Sequence, residues 1–289
     1  MTQKIKLDAA LDMKSKVVNT RFGDIEYCSI GQGVPILFIH GGHSNCNETL
    51  AHKGFSLDKF QLITPSRPGY GKTPLSDRKT PKQVAELITA LLEKISVDKI
   101  VVYGISAGGL TAIELASNYP NRVSKLILAS AISRKWLDEQ ERTYKIAKII
   151  FNPKVEKLIW ATVRFFAKIV PKLMAKNFHS QFSKQPAKNL KSSDVKELIS
   201  AMNHYSSGAG FLVDIDQDIS EDVISKIKCP TLIIHSKNDN SVPIEHARHS
   251  NRMIQNSSLE ILENDWGHLF WIGADSVRPI EKILEFVQD

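Results

Sequence analysis

From Asp24 onward, short apolar runs alternate with stretches of helical spacing. The runs are DIEYCSIG, PILFIHG, FQLITPS, KIVVYGIS, VSKLILAS, PTLIIHS and LEILEN, and each has the length and the bounding turn residues of a strand. ILFI, IVVY and LILA within them contain no charged position, as expected of strands buried on both faces of a parallel sheet. Between the runs, PKQVAELITALLEKI and AGGLTAIELASNYP have apolar residues at helical spacing, the latter ending near Pro120, which predicts two helices. Strands separated by helices form a mostly parallel central sheet with helices on both faces, an α/β fold.

After Ser130 the alternation stops for roughly 90 residues, give or take a few at each boundary, and it resumes at CPTLIIHS. So long a connection inside one domain has structure of its own. It reads as a helical cap at 131–222 inserted between core segments 1–130 and 223–289.

The chemistry concentrates at the ends of the runs. KIVVYGISAGGLTAIEL is an apolar strand entering Gly104, Ile105, Ser106, Ala107 and Gly108, and then a helix. This G-x-S-x-G turn between strand and helix holds a serine exposed at a sharp bend, beside the unpaired amides of a helix N-terminus. A serine hydroxyl needs a base, and the base an orienting acid. Asp239 follows PTLIIHS in the loop SKNDNSVP, and His268 lies in DWGHLFW, 29 residues further on. The chain order Ser, Asp, His suits such a triad. Asp265 is closer to His268 in sequence, but the acid is expected from a different strand end. The loop after PILFIH reads His40, Gly41, Gly42, His43. It supplies the second oxyanion donor, the amide of Gly42 with His43 as the alternative, to join that of Ala107.

Taken together, HGG at His40 to Gly42, RPGYG at Arg67 to Gly71, GISAGG at Gly104 to Gly109, HSKNDNSVP with Asp239, and GH at Gly267 and His268 resemble the α/β-hydrolase superfamily over nearly the whole chain. Relatives often carry Asp where Ser66 stands and Gly where Ser236 stands. The resemblance implies a Ser-His-Asp hydrolase acting on a small-molecule acyl substrate, with no metal and no cofactor. Carboxylesterase is the default within it; a thioesterase, an amidase or iminopeptidase, and a carbon–carbon bond hydrolase use the same triad, and a non-catalytic ligand receptor is the alternative of another class. His246 and His249 lack the glutamate and third ligand of a zinc helix.

Composition narrows the setting. With 42% hydrophobic and 24% charged residues and no Pro/Gly/Ser-rich linker, the chain reads as one globular domain with an insertion. The net charge is +7, yet Arg134 to Lys191 carries 14 Lys/Arg against 4 Asp/Glu. The excess therefore belongs to the cap and gives no reason to expect a nucleic-acid partner. MTQKIKLDAALDMKSK has no continuous apolar stretch for a leader, and the three cysteines form no CxxC pair, so a cytoplasmic chain with reduced thiols is expected. In the cap, Lys157, Arg164, Lys168 and Lys172 share one side of a helix that Pro171 stops or kinks. This predicts that the apolar side covers the active site, with Phe165 and Phe166 at the pocket and the lysines in solvent. Contact of the basic side with a membrane surface or an acidic substrate is the less favoured reading.

Overall fold

The computed structural model describes residues 13–188 and 190–289. All seven expected strands form, and one more precedes them: β1 (Lys16–Thr20), β2 (Gly23–Gly31), β3 (Val34–Ile39), β4 (Phe60–Pro65), β5 (Ile100–Ile105), β6 (Val123–Ala129), β7 (Thr231–Ser236) and β8 (Ser257–Leu262). They build one sheet in the order β1-β2-β4-β3-β5-β6-β7-β8. The strand β2 is antiparallel to β1 and β4, while every pair from β4 through β8 is parallel.

Alternate strand residues divide the core. Leu37, Ile39, Val102, Leu126, Leu128 and Ile233 face one side; Ile36, Phe38, Val101, Tyr103, Ile127 and Ile234 face the other. The first side packs on α1 (Pro81–Lys94) and α2 (Gly109–Asn118), which bury Leu87, Ile88, Leu91, Ile113 and Leu115 there. Thr80 and Gln83 close a reciprocal capping box at the start of α1, with Pro81 in its first turn. Pro120 ends α2 early by disfavouring helical geometry at Tyr119. The second side takes Trp266 to Ile272 and Ile283 of α10 (Val277–Gln288).

Between β6 and β7 lie α3 (Arg142–Ile150), α4 (Glu156–Ile169), α5 (Pro171–Phe182), α6 (Ser192–Met202), α7 (Gly210–Asp214) and α8 (Glu221–Ser225); α9 (Glu245–Met253) follows β7. Pro171 separates α4 from α5 and starts the latter. The expected orientation of α4 is overturned. Its buried side holds Glu156, Trp160 and Ala167, whereas Leu158, Phe165, Phe166 and Ile169 face outward. Trp160 docks inward because its indole N–H reaches Ser207 Oγ at 2.8 Å and its ring meets His43. Glu156 is buried because its Oε1 accepts from Ser206 Oγ, Ser207 N and Gly208 N at 2.7 to 3.1 Å. Among the described residues no helix is long and apolar enough to cross a membrane.

Candidate active site

Because β3, β5, β6, β7 and β8 run parallel, their carboxyl ends share one edge of the sheet, where ligand sites of open α/β sheets form. Ser106 follows β5 immediately. Its φ is +49°, a left-handed conformation that a serine adopts only under constraint. The constraint is crowding. A Cβ on Gly104 would meet the Ala112 side chain at 2.5 Å, and one on Gly108 would meet the Ile39 carbonyl at 2.3 Å. The bend thus needs glycine two residues to either side of the serine. A 3-10 turn over Ser106–Gly108 leads into α2.

Asp239 lies after β7, with its carboxylate fully engaged. Oδ1 accepts from the Ser241 and Val242 amides, both at 2.8 Å. Oδ2 accepts from His268 Nδ1 at 2.7 Å and lies 3.2 Å from His235 Nε2. Burial alone would raise the Asp239 carboxyl, but His268 and His235, by charge and hydrogen bonding, hold it well below the ordinary carboxylate range. With Nδ1–H given to Asp239, the remaining nitrogen of His268 is Nε2, free to accept a proton.

Gly267 at φ +52° brings the chain so close to Phe182 and Asn238 that a side chain there would collide with their carbonyls. His268 then turns back over the sheet, and its carbonyl accepts from Ser130 Oγ, just past β6, at 3.0 Å. The Phe182 ring from the end of α5 stacks on the imidazole, with centroids 5.7 Å apart. Asp265 does not compete with Asp239. It accepts from His179 and Ser183 through its backbone carbonyl.

The loop after β3 closes over the serine. A Cβ on Gly41 would stand 3.0 Å from the Ser106 Cβ, and one on Gly42 would stand 2.9 Å from the Phe211 ring. Arg67 holds this loop: its Nε donates to the His40 carbonyl at 3.0 Å and its Nη2 to the Gly41 carbonyl at 3.2 Å. In a trans peptide, C=O and N–H point opposite ways. The Gly41 carbonyl also accepts from His40 Nδ1 at 2.7 Å, and fixing it on Arg67 and His40 therefore aims the Gly42 amide away from them. Among the described residues the amides of Gly42 and Ala107 have no backbone partner. Asp214 of α7 pairs with Arg67 at 2.5 and 2.7 Å and accepts from Tyr70 Oη at 2.5 Å. Burial and the Asp214 charge push the Tyr70 hydroxyl well up, so it remains a donor.

All five expected site residues thus lie at this edge, and the structure directly joins two of them, Asp239 and His268. Sequence reading missed His235, although a histidine four residues before the acid on the same strand end was a visible signal. It also missed the Arg67–Asp214 pair, for which RPGYG marked one half and nothing marked the other. Ser66, where an acid is common, hydrogen-bonds a carboxylate from another strand, Glu26 Oε2 at 2.9 Å. His246 and His249 bond Ser133, the one through its Nδ1 and the other at 2.9 Å.

The family model for the alpha/beta hydrolase fold matches residues 34–274. The uncharacterized hydrolase YcgS of Bacillus subtilis (strain 168) is 36% identical over 284 residues, 96% of this chain and 100% of that protein. Among solved structures, an alpha/beta hydrolase fold protein from Nakamurella multipartita superposes with TM-score 0.79 at 24% identity, covering 94% of this chain and 98% of the other. The esterase EaEST from Exiguobacterium antarcticum gives TM-score 0.68 at 23% identity, with 96% and 100% covered.

Proposed function

Since the chain belongs to the α/β-hydrolase family, we propose that it is a serine hydrolase cleaving an ester or related acyl bond of a small molecule through an acyl-enzyme on Ser106. The observation that carries this reading is the 2.7 Å bond from His268 Nδ1 to Asp239 at the strand edge where Ser106 is held at φ +49°. Ser106 Oγ attacks the acyl carbon while His268 Nε2 takes its proton, and Asp239 keeps the imidazole oriented and stabilises the imidazolium. The carbonyl oxygen gains negative charge between the amides of Gly42 and Ala107, each worth about 3 kcal/mol in the transition state. His268 then protonates the leaving alcohol, and a water molecule repeats the sequence to release the acid.

Likeness to a protein described as an esterase supports an oxygen ester as the first substrate class to test. The stretch at 131–222 acts as the cap, with the core at 1–130 and 223–289; residues 1–12 and 189 of this division lie outside the described ones. The three unpaired thiols, Cys28, Cys46 and Cys229, fit a reducing cytoplasmic setting. The reading is tested with a fluorophosphonate probe on wild type and Ser106→Ala. Stoichiometric labelling of wild type alone is expected; equal labelling of both would refute it.

A further inference from the structure

At about 100° per residue, Phe165 and Ile169 each fall within about 20° of Leu158 on α4, directly opposite the inward Trp160 and Ala167. They are 71%, 58% and 59% exposed. Leu173 at the start of α5 and Ile149 near the end of α3 are exposed as well. Isolated apolar residues on a surface need no explanation, but bulky ones gathered on one helix face mark an interaction surface. Among the described residues nothing covers this face.

The charge around it selects the partner. From Arg142 to Lys176 the chain has nine Lys/Arg and a single acid, Glu156. That acid is buried and engaged with Ser206, Ser207 and Gly208. Lys148 pairs with Asp216, while Lys157 and Lys168 stand exposed beside the apolar row and Lys172 and Lys176 are exposed on α5. A second copy of this chain would bring two such basic segments together, and a nucleic acid would leave the leucine, isoleucine and phenylalanine side chains without a partner. An anionic bilayer satisfies both sets of groups, its headgroups receiving the lysines and its acyl boundary the apolar row.

We propose that the outward face of α4, with the start of α5, docks on an anionic lipid surface. The opposite side of α4 touches His43 of the oxyanion loop through Trp160, so docking holds the active-site edge about one helix diameter, roughly 10 Å, from the lipid. The inference is independent of which bond the enzyme cleaves.

Flotation with two kinds of vesicle tests it: pure phosphatidylcholine, and phosphatidylcholine with about 30 mol % phosphatidylglycerol. Wild type is expected to float with the anionic vesicles only, and to be released as salt rises from about 0.1 to 0.5 M. The triple variant Leu158→Ser, Phe165→Ser, Ile169→Ser should bind at least about tenfold more weakly, as should Lys157→Gln, Lys168→Gln, Lys172→Gln. Both should retain the wild-type melting temperature and rate on a water-soluble ester. If the triple serine variant melts early, Phe165→Ser and Ile169→Ser singly provide the same reading. Failure of wild type to bind anionic vesicles, or undiminished binding by the serine variants, would overturn the proposal. So would a concentration-dependent dimer in sedimentation velocity that these substitutions abolish, since a second copy would then be what covers the face.

Discussion

Asp214→Asn separates the support of the active site from its chemistry. Asp214 touches no expected catalytic group, yet it neutralises Arg67, which is 2% exposed and holds the carbonyls of His40 and Gly41. The Asn side chain has nearly the same shape, but it removes the charge and turns an N–H₂ toward the guanidinium. Leaving a buried ion unpaired costs about 3 to 5 kcal/mol, which for a chain of this size lowers the melting temperature on the order of 10 °C. If Arg67 relaxes, the Gly41 carbonyl keeps only its 2.7 Å bond from His40 Nδ1 and the Gly42 amide is aimed less firmly, a displacement that costs up to about 10²-fold in kcat. Thermal unfolding and steady-state hydrolysis of a p-nitrophenyl ester, measured below the variant's melting range, read the two effects. Adding Arg67→Met should restore part of the stability, because no buried charge is then left alone, while kcat stays low because the His40 carbonyl has lost its guanidinium donor and the Gly41 carbonyl keeps only the bond from His40 Nδ1. A single variant within about 1 kcal/mol of wild type, or a double variant with wild-type kcat, would refute the reasoning.

Gly42→Ala introduces a methyl group 2.9 Å from the buried Phe211 ring, so the loop must shift: kcat should fall about 10²-fold and stability by about 1 to 3 kcal/mol; wild-type kcat would show that turnover does not depend on the position of the Gly42 amide. His235 Nε2 donates to the Val242 carbonyl at 3.0 Å and faces Asp239. His235→Ala is therefore expected to lower kcat several-fold with KM unchanged, and His235→Gln, which keeps a donor, to restore most of it; equal kcat in both variants would rule out a positioning role. Because the folded Asp239 carboxyl lies below its ordinary value, its contribution to stability is present above the unfolded pKa near 4 and lost as pH falls toward the folded one. Urea titrations below about pH 4 should therefore show a shallower decline in Asp239→Asn than in wild type, and parallel curves would contradict the shift. Asp265→Asn should leave hydrolysis unchanged, since its bonds to His179 and Ser183 use the backbone, whereas Asp239→Asn should be severely impaired; the reverse order would move the acid to Asp265.

What sequence reading captured were the elements with a single physical solution. ILFI, IVVY and LILA, apolar at every position, suit a sheet covered on both faces, and the crowded bend at Ser106 requires the glycines that flank it. The strand β1 escaped notice because KVVNT is an exposed edge strand, paired on one side only to β2, and so carries no buried run. The orientation of α4 was misread because the helix is apolar on two sides. Nothing local to it distinguishes the side of Trp160 and Ala167 from that of Leu158 and Phe165. The choice is made by Ser206, Ser207 and Gly208, some 50 residues away, whose donors pull Glu156 inward. The partner of Arg67 was hidden for the same reason: Asp214 is 147 residues distant and comes from the segment with the weakest pattern.

The most direct test of the central claim is rapid-quench hydrolysis of a p-nitrophenyl ester, with the acyl group located by peptide mass mapping. The account predicts a burst of p-nitrophenol approaching one equivalent per active site, the acyl mass on the peptide carrying Ser106, and neither signal in Ser106→Ala. Turnover in Ser106→Ala at the wild-type rate, or an acyl group found on any other residue, would contradict it.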